Sequence, residues 1–197
     1  LISCRKYILK NKAGDLVSPS QLNDNWLSNT VNENFDKIKL LYIGRIKVEK
    51  GIYSLLDIIK NKNEIELTIV GAEKNVSQNI NQNNVNVYEI ESNRKKLIKF
   101  YDDHNIFILP SFTEGHPMAL LEALARKRPV IIFEEIKHVM GDKKGIFVSK
   151  RNSDSLIETI NHIKMNYKKI IKQMEQNKLP SNKDFIKEFG SLISNLN

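Results

Sequence analysis

The chain reads as an α/β protein built on a Rossmann-like, doubly wound, mostly parallel sheet, and three observations predict this. Apolar runs at 40–43, 106–109 and 129–133 are uninterrupted, as strands covered on both faces should be. Segments of helical periodicity alternate with the strands from about residue 37 to 178, which favours parallel strands joined by crossover helices. A polar turn, PSFTEGHP, joins the strand at 106–109 to the next helix, in the position where open α/β sheets gather their ligands.

Composition bounds the function. At 197 residues, 41% hydrophobic and 27% charged, the chain has the size and make-up of one globular domain with appendages. Its formal net charge of +8 is spread along the sequence and favours anionic partners. The aromatic residues, 8% of the chain, are not interleaved with the basic ones as a base-stacking platform requires, so nucleic acid is not an expected partner. The single cysteine, Cys4, has no partner for an intramolecular disulfide, which agrees with a cytoplasmic setting. No run of about 18 apolar residues is present to span a membrane, and the first residues lack the apolar core of a signal peptide. The four histidines lack metal-ligand spacing, so no metal site is expected.

Residues 1–36 are broken by Asn and Asp before any apolar run reaches full length, and one short helix is expected, with Ser20 as N-cap and Leu22, Trp26 and Leu27 buried. The strand at 40–43 leads into the loop GRIKVEKG and a helix with Ile52, Leu55, Leu56 and Ile59 on one face. Arg45 and Lys50 therefore flank a helix start, and Gly44 and Gly51 allow close approach of a ligand. Such a place suits a phosphate group. The Gly/Lys spacing of a P-loop is absent, and a solvated basic loop is the plainer reading of the two cations alone. A strand at 65–70 is followed immediately by Gly71, and a second strand is expected at 85–90. Ser92 or Asn93 caps a helix that turns Leu97, Ile98 and Tyr101 inward.

Pro110 closes the strand at 106–109, and Pro117 is expected in the first turn of a helix whose apolar face is Leu120, Leu121, Leu124 and Ala125. Glu114 lies in the turn, within reach of a bound molecule, and Glu122 lies in the helix with seven residues between them, able to accept hydroxyl donors. Taken alone, the pair reads more simply as a helix-dipole partner and a solvated surface residue. After the strand at 129–133, a short strand at 146–148 precedes a helix with Ser155 and Glu158 at capping-box spacing. That helix buries Leu156, Ile160, Ile163, Tyr167, Ile170 and Met174, and presents Lys164, Lys168 and Lys172 on another face. These lysines offer peripheral contact with an anionic membrane surface, although solvated lysines are the commoner case. Pro180 ends the helix, and a last one with Phe185, Phe189, Leu192 and Leu196 is expected to pack back onto the body or across to a further domain.

The stretch around Glu114 resembles the donor-binding signature of the retaining glycosyltransferases of the GT-B fold, in the large family 4 group. The match falls on Ser111, Glu114, Gly115, Pro117, Glu122, Ala123, Ala125, Pro129 and Val130, and the GR…KG segment at Gly44–Gly51 resembles the family's pyrophosphate loop. The resemblance implies one half of a GT-B fold that transfers a sugar from a nucleotide-sugar to a glycan or lipid-linked acceptor, with no cofactor and no metal. It implies that Arg45 and Lys50 hold the diphosphate, Glu114 the sugar and Glu122 the ribose, with Gly44, Gly71 and Gly115 close to the ligand. Residues 1–36 would be a linker or remnant of a first domain, 37–178 the nucleotide-sugar domain and 179–197 a C-terminal helix. As one wall of a two-domain cleft, the chain is expected to be inactive on its own. There are departures from the pattern: no second glycine follows Gly71, Glu89 and Glu91 stand where a glycine is common, and Lys127 occupies a helix-end glycine position at a cost of about 1 kcal/mol. No glycine pair occurs in 134–145. These departures favour an alternative, a non-catalytic or partner-dependent nucleotide-sugar-binding module.

Overall fold

The computed structural model describes residues 2–3, 15–17, 19–28, 35, 37–73 and 80–194. In chain order the elements are β1 (Ile2–Ser3), β2 (Asp15–Leu16), α1 (Asp24–Leu27), β3 (Ile38–Ile43), α2 (Ile52–Ile58), β4 (Ile65–Ala72), β5 (Val85–Glu89) and α3 (Arg94–Asp102). They continue as β6 (Ile106–Leu109), α4 (Met118–Ala125), β7 (Val130–Phe133), β8 (Ile146–Ser149), α5 (Ser153–Met174) and α6 (Asn182–Ser194). A 3₁₀ segment stands at Val48–Lys50, and Glu134–Val139 forms 3₁₀ turns on either side of a kink at Ile136. The chain is thus α/β, as its alternation of apolar strands and helical segments predicts.

Strands β3 to β8 form one six-stranded sheet, ordered β5-β4-β3-β6-β7-β8 and parallel throughout. From β3 the chain steps outward through β4 to β5, then returns to pair β6 against the other side of β3, with Leu40 opposite Ile106 and Leu41 opposite Phe107. The order reverses between β3 and β6, and the loops leaving their carboxyl ends diverge there to leave a crevice. The central strands carry their uninterrupted apolar runs for a simple reason: Leu40, Leu41, Ile106, Phe107, Ile108, Val130, Ile131 and Ile132 are all buried.

Several local expectations are corrected. α1 is capped by Asn23, whose side chain accepts from the Asn25 N–H over 3.2 Å. Ser20 turns back instead to accept from the Leu22 N–H over 3.1 Å. Leu22 and Trp26 are buried, but Leu27 remains 45% exposed because this four-residue helix meets the body on one side only. α5 is capped by Asn152, which accepts from the Ser155 N–H over 2.9 Å. Ser155 Oγ accepts from the Lys150 N–H, so it forms no capping box with Glu158. α5 ends at Met174, before Pro180, where Asn177 bonds both the N–H and the carbonyl of Lys144.

Gly71 lies inside β4 and not after it, and it is needed there because a Cβ would come within 2.5 Å of Gly44 O on the neighbouring strand's loop. Pro117 is the N-cap of α4 and not its first-turn residue. α6 buries none of its residues, with Ile186 60% and Ile193 45% exposed, so its apolar side does not pack back onto the described body. Its start is nevertheless tied down, the Asn182 N–H donating to Leu22 O over 2.8 Å and the side chain to Ser20 O over 3.1 Å. Leu196 lies outside the described residues. Asn93 caps α3 as expected, donors coming from the Lys95 and Lys96 N–H groups.

Candidate functional site

The loop after β3 begins at Gly44, whose N–H donates to Val70 O over 2.9 Å and so extends the sheet by one bond past the strand. Tyr42, fully buried near the end of β3, donates its hydroxyl to Arg45 O over 2.8 Å and fixes the exit of the loop. Burial, and then the nearby Glu114 carboxylate, push the Tyr42 phenol far above its ordinary value, so it remains a donor. The loop then forms the 3₁₀ segment Val48–Lys50 and turns into α2 through Gly51, whose φ of 67° is the left-handed conformation that glycine adopts readily. Gly51 is buried against Pro110, and a Cβ there would lie 2.0 Å from Pro110 O. The start of α2 is therefore covered, and Lys50 is the cation this loop directs into the crevice. Arg45 is exposed and does not line it.

The turn after β6 meets that loop across the switch point. Ser111 is buried and donates its hydroxyl to Glu114 Oε1 over 2.7 Å. Lys50 Nζ donates to the same oxygen, also over 2.7 Å. The Glu114 side chain keeps only 9% of its exposure and the Lys50 side chain 24%, so the pair is partly withdrawn from solvent screening. The main chain of the turn is secured as well: Phe112 N–H donates to Glu49 O over 2.9 Å, and His138 Nε2 lies 2.8 Å from Glu114 O. His116 Nε2 lies 2.8 Å from Pro19 O, which ties the turn to the segment preceding α1.

Between the two loops is a cleft of about 170 Å³, lined by Tyr42, Gly44, Lys50, Glu114, His116 and the first residues of α4. Pro117, Met118 and Ala119 form that end of the cleft, so the positive end of the α4 dipole faces it. Larger grooves of about 380 and 510 Å³ run along α5, lined by surface residues of that helix such as Lys169, Asp154 and Met165. We place the site in the smaller cleft because a cation, a carboxylate and a helix start converge there at the switch point.

The structure brings together Gly44, Lys50 and Glu114 among the sequence-derived candidates. Gly115 lies in the turn, and Gly71 backs the loop through its contact with Gly44. Glu122 does not line this cleft: it faces α3 and accepts the Tyr101 hydroxyl on Oε2 over 2.9 Å. Burial raises the Glu122 pKa, with the Tyr101 hydrogen bond and Arg94 acting the other way. Lys127 adopts a φ of 52°, the left-handed conformation expected of the glycine it replaces. Sequence reasoning missed Tyr42, His116, His138 and Arg151. Tyr42 and His116 adjoin residues that had been singled out, whereas Arg151 sits in the polar run RNSD with no local signal at all. Among the described residues, no three His, Cys, Asp or Glu side chains gather as a metal site would require, and no helix is long and apolar enough to cross a membrane.

Residues 27–179 match the family model described as "Glycosyl transferases group 1". The chain is 28% identical over 158 residues to the capsular polysaccharide biosynthesis glycosyltransferase CapM of Staphylococcus aureus, covering 67% of this chain and 40% of that protein. It is 25% identical over 128 residues to the putative teichuronic acid biosynthesis glycosyltransferase TuaC of Bacillus subtilis, covering 64% of this chain and 32% of that one. The chain thus spans well under half of each of these two curated relatives. In fold it is similar to Anabaena Alr3699/HepE, solved in complex with UDP and glucose, with a TM-score of 0.75 at 13% identity over 98% of this chain and 62% of that one. It is also similar to the lipopolysaccharide outer core galactosyltransferase WaaB in its apo form, with a TM-score of 0.69 at 18% identity over 100% of this chain and 62% of that one.

Proposed function

Because the chain belongs to the glycosyl transferases of group 1, we propose that its switch-point cleft is the donor site of a retaining glycosyltransferase and takes a nucleotide-sugar. The observation that carries the reading is the Lys50–Glu114 pair at 2.7 Å, which sets a cation and a carboxylate side by side where two loops diverge. A nucleotide-sugar presents diphosphate oxygens next to sugar hydroxyls and so needs both. Lys50 receives the diphosphate and stabilises the charge that grows on it as the sugar departs, and Arg45 closes over it from the exposed side of the loop. Glu114 accepts the sugar hydroxyls and is not assigned a nucleophilic role. Glu122 accepts the ribose hydroxyls once its carboxylate turns from Tyr101. Gly44 and Gly115 let main chain approach the ligand, and the start of α4 adds its dipole. None of these roles calls for a metal.

CapM and TuaC are named for capsular polysaccharide and teichuronic acid biosynthesis, and a growing glycan or lipid-linked saccharide is accordingly the acceptor class proposed here. The lysine face of α5 would meet the anionic surface on which such an acceptor is anchored. Transfer itself is assigned to a closed cleft between two domains, in which water is excluded from the leaving diphosphate.

Calorimetry with UDP, GDP, ADP and their sugars tests the reading, starting with UDP-glucose because HepE was solved with UDP and glucose. Saturable binding that disappears in the Arg45→Ala, Lys50→Ala double variant is expected. Affinity unchanged in that variant would sink the assignment. The 197-residue chain incubated with its best donor and a panel of saccharide acceptors is expected to show slow donor hydrolysis at most. Acceptor-dependent turnover would show that this chain supplies the whole cleft.

A further inference from the structure

Arg151 stands behind the Lys50–Glu114 pair and touches both loops that carry it. Its Nη1 donates to Pro110 O over 2.8 Å and its Nη2 to Ser111 O over 3.3 Å, the two carbonyls that open the Glu114 turn. Its Nε donates to Glu135 Oε1 over 2.7 Å. The rings of Phe112, in the turn, and Phe133, at the end of β7, have centroids 4.0 and 4.3 Å from the guanidinium carbon. On the other side, a Cβ on Gly51 would lie 3.0 Å from Nη1, so the residue following Lys50 rests against the same group. A solvated arginine at the start of a long helix would spend its donors on water. Here the side chain keeps only 14% exposure.

We propose that Arg151 is a positioning residue of the donor site. It clamps the 110–114 turn against the 44–51 loop, so that Lys50 and Glu114 already stand at their working separation before a ligand arrives. The planar guanidinium offers donors in fixed directions and packs against rings, so it sets two carbonyls and one carboxylate at once. A lysine ammonium, a point charge on a flexible stem, does not do so. Glu135 holds Arg151 in turn, and the salt bridge keeps the Glu135 carboxyl below its ordinary range. The segment Glu134–Val139, where the family's glycine pair is missing, thereby supplies two supports to the turn: Glu135 through Arg151, and His138 at the Glu114 carbonyl. The inference rests on reading the cleft as a donor site, and what it adds is preorganisation, since ligand binding then need not also order the turn.

The test compares Arg151→Lys and Glu135→Gln with the wild-type chain in two ways. Without ligand, amide hydrogen exchange follows the Phe112 N–H, which reports docking of the turn through its bond to Glu49 O. With ligand, calorimetry gives the ratio of affinities for the nucleotide-sugar and the free nucleotide. In Arg151→Lys, exchange at Phe112 is expected to rise about tenfold, and the preference for the sugar-bearing ligand to fall by about the same factor, with core amides of β6 and β7 unchanged. Glu135→Gln, which keeps the size of a partly exposed side chain and removes only its charge, is expected to move both readouts the same way by about threefold. Unchanged exchange at Phe112 in both variants overturns the proposal. Uniformly faster exchange with an unchanged affinity ratio also overturns it, because it marks a residue that serves only the fold. If the wild-type chain binds no nucleotide, the donor-site reading fails by itself, and the exchange measurement alone decides the clamp.

Discussion

Tyr101 donates its hydroxyl to Glu122 Oε2 over 2.9 Å, whereas Glu114, eight positions earlier, is held by the Lys50 ammonium at 2.7 Å. The two carboxylates of one turn-helix unit therefore have opposite partners, a neutral phenol for one and a cation for the other. The Tyr101 phenol is fully buried and raised well above its ordinary value, by burial first and by Glu122 next, so it stays protonated and keeps its proton to donate to Glu122.

Removing Glu114 should separate its two roles. In the free protein its carboxylate neutralises Lys50, so Glu114→Ala frees that ammonium for a diphosphate while losing the acceptor for sugar hydroxyls. Binding of free nucleoside diphosphate should stay level or tighten, and binding of the nucleotide-sugar should weaken by about tenfold, the loss expected for a hydrogen bond to a charged group. Equal weakening of both ligands by calorimetry would mean that the sugar is not what Glu114 holds.

The pH dependence of Glu122 follows from the sign of its shift. Burial raises its pKa above the ordinary 4.5, so as pH rises from that value the native chain keeps a proton that the unfolded chain has lost. Its contribution to stability therefore falls as pH rises through the window between the ordinary and the raised value, and the cost is complete above it. Glu122→Gln should remove this slope from urea midpoints measured across acidic pH. Nucleotide affinity in the wild type should increase over the same window, as the acceptor carboxylate forms, and should be flat in Glu122→Gln.

Gly51→Ala should disturb fold and site together. The position has a φ of 67°, and a Cβ would be 2.0 Å from Pro110 O, far inside contact. The left-handed conformation and the overlap together should cost at least about 2 kcal/mol in urea unfolding. Nucleotide binding should weaken as well, because Lys50 is the adjacent residue. A stability within experimental error of wild type would show that the two loops are not in contact in solution.

Lys127→Gly should stabilise. At a φ of 52° the lysine bears a strain of about 1 kcal/mol that glycine does not. Its ion pair with Glu175, at 3.0 Å, lies at a partly exposed surface and offsets only about a few tenths of that. A rise of a few degrees in the thermal midpoint is expected, with nucleotide binding unaffected.

The sheet was legible in the sequence because burial on both faces demands unbroken apolar runs. Leu40–Ile43, Ile106–Leu109 and Val130–Phe133 carry that demand on their surface, and their alternation with helical segments leaves a parallel sheet as the consistent arrangement. Lys50 and Glu114 were legible for a related reason, as charged residues placed just past such strands among glycines and prolines. The caps were less so: Asn23 was overlooked for Ser20, and Asn152 for Ser155, because each rival pair offers acceptors a few residues apart and only the path of the chain selects between them. The tertiary structure alone decided which groups meet. Lys50 reaches Glu114 across 64 positions, Tyr101 reaches Glu122 across 21, and Arg151 reaches Pro110 across 41. Local periodicity carries no information over such separations, since a side chain's partner there depends on strand order and loop path, and those are settled by how the whole core packs.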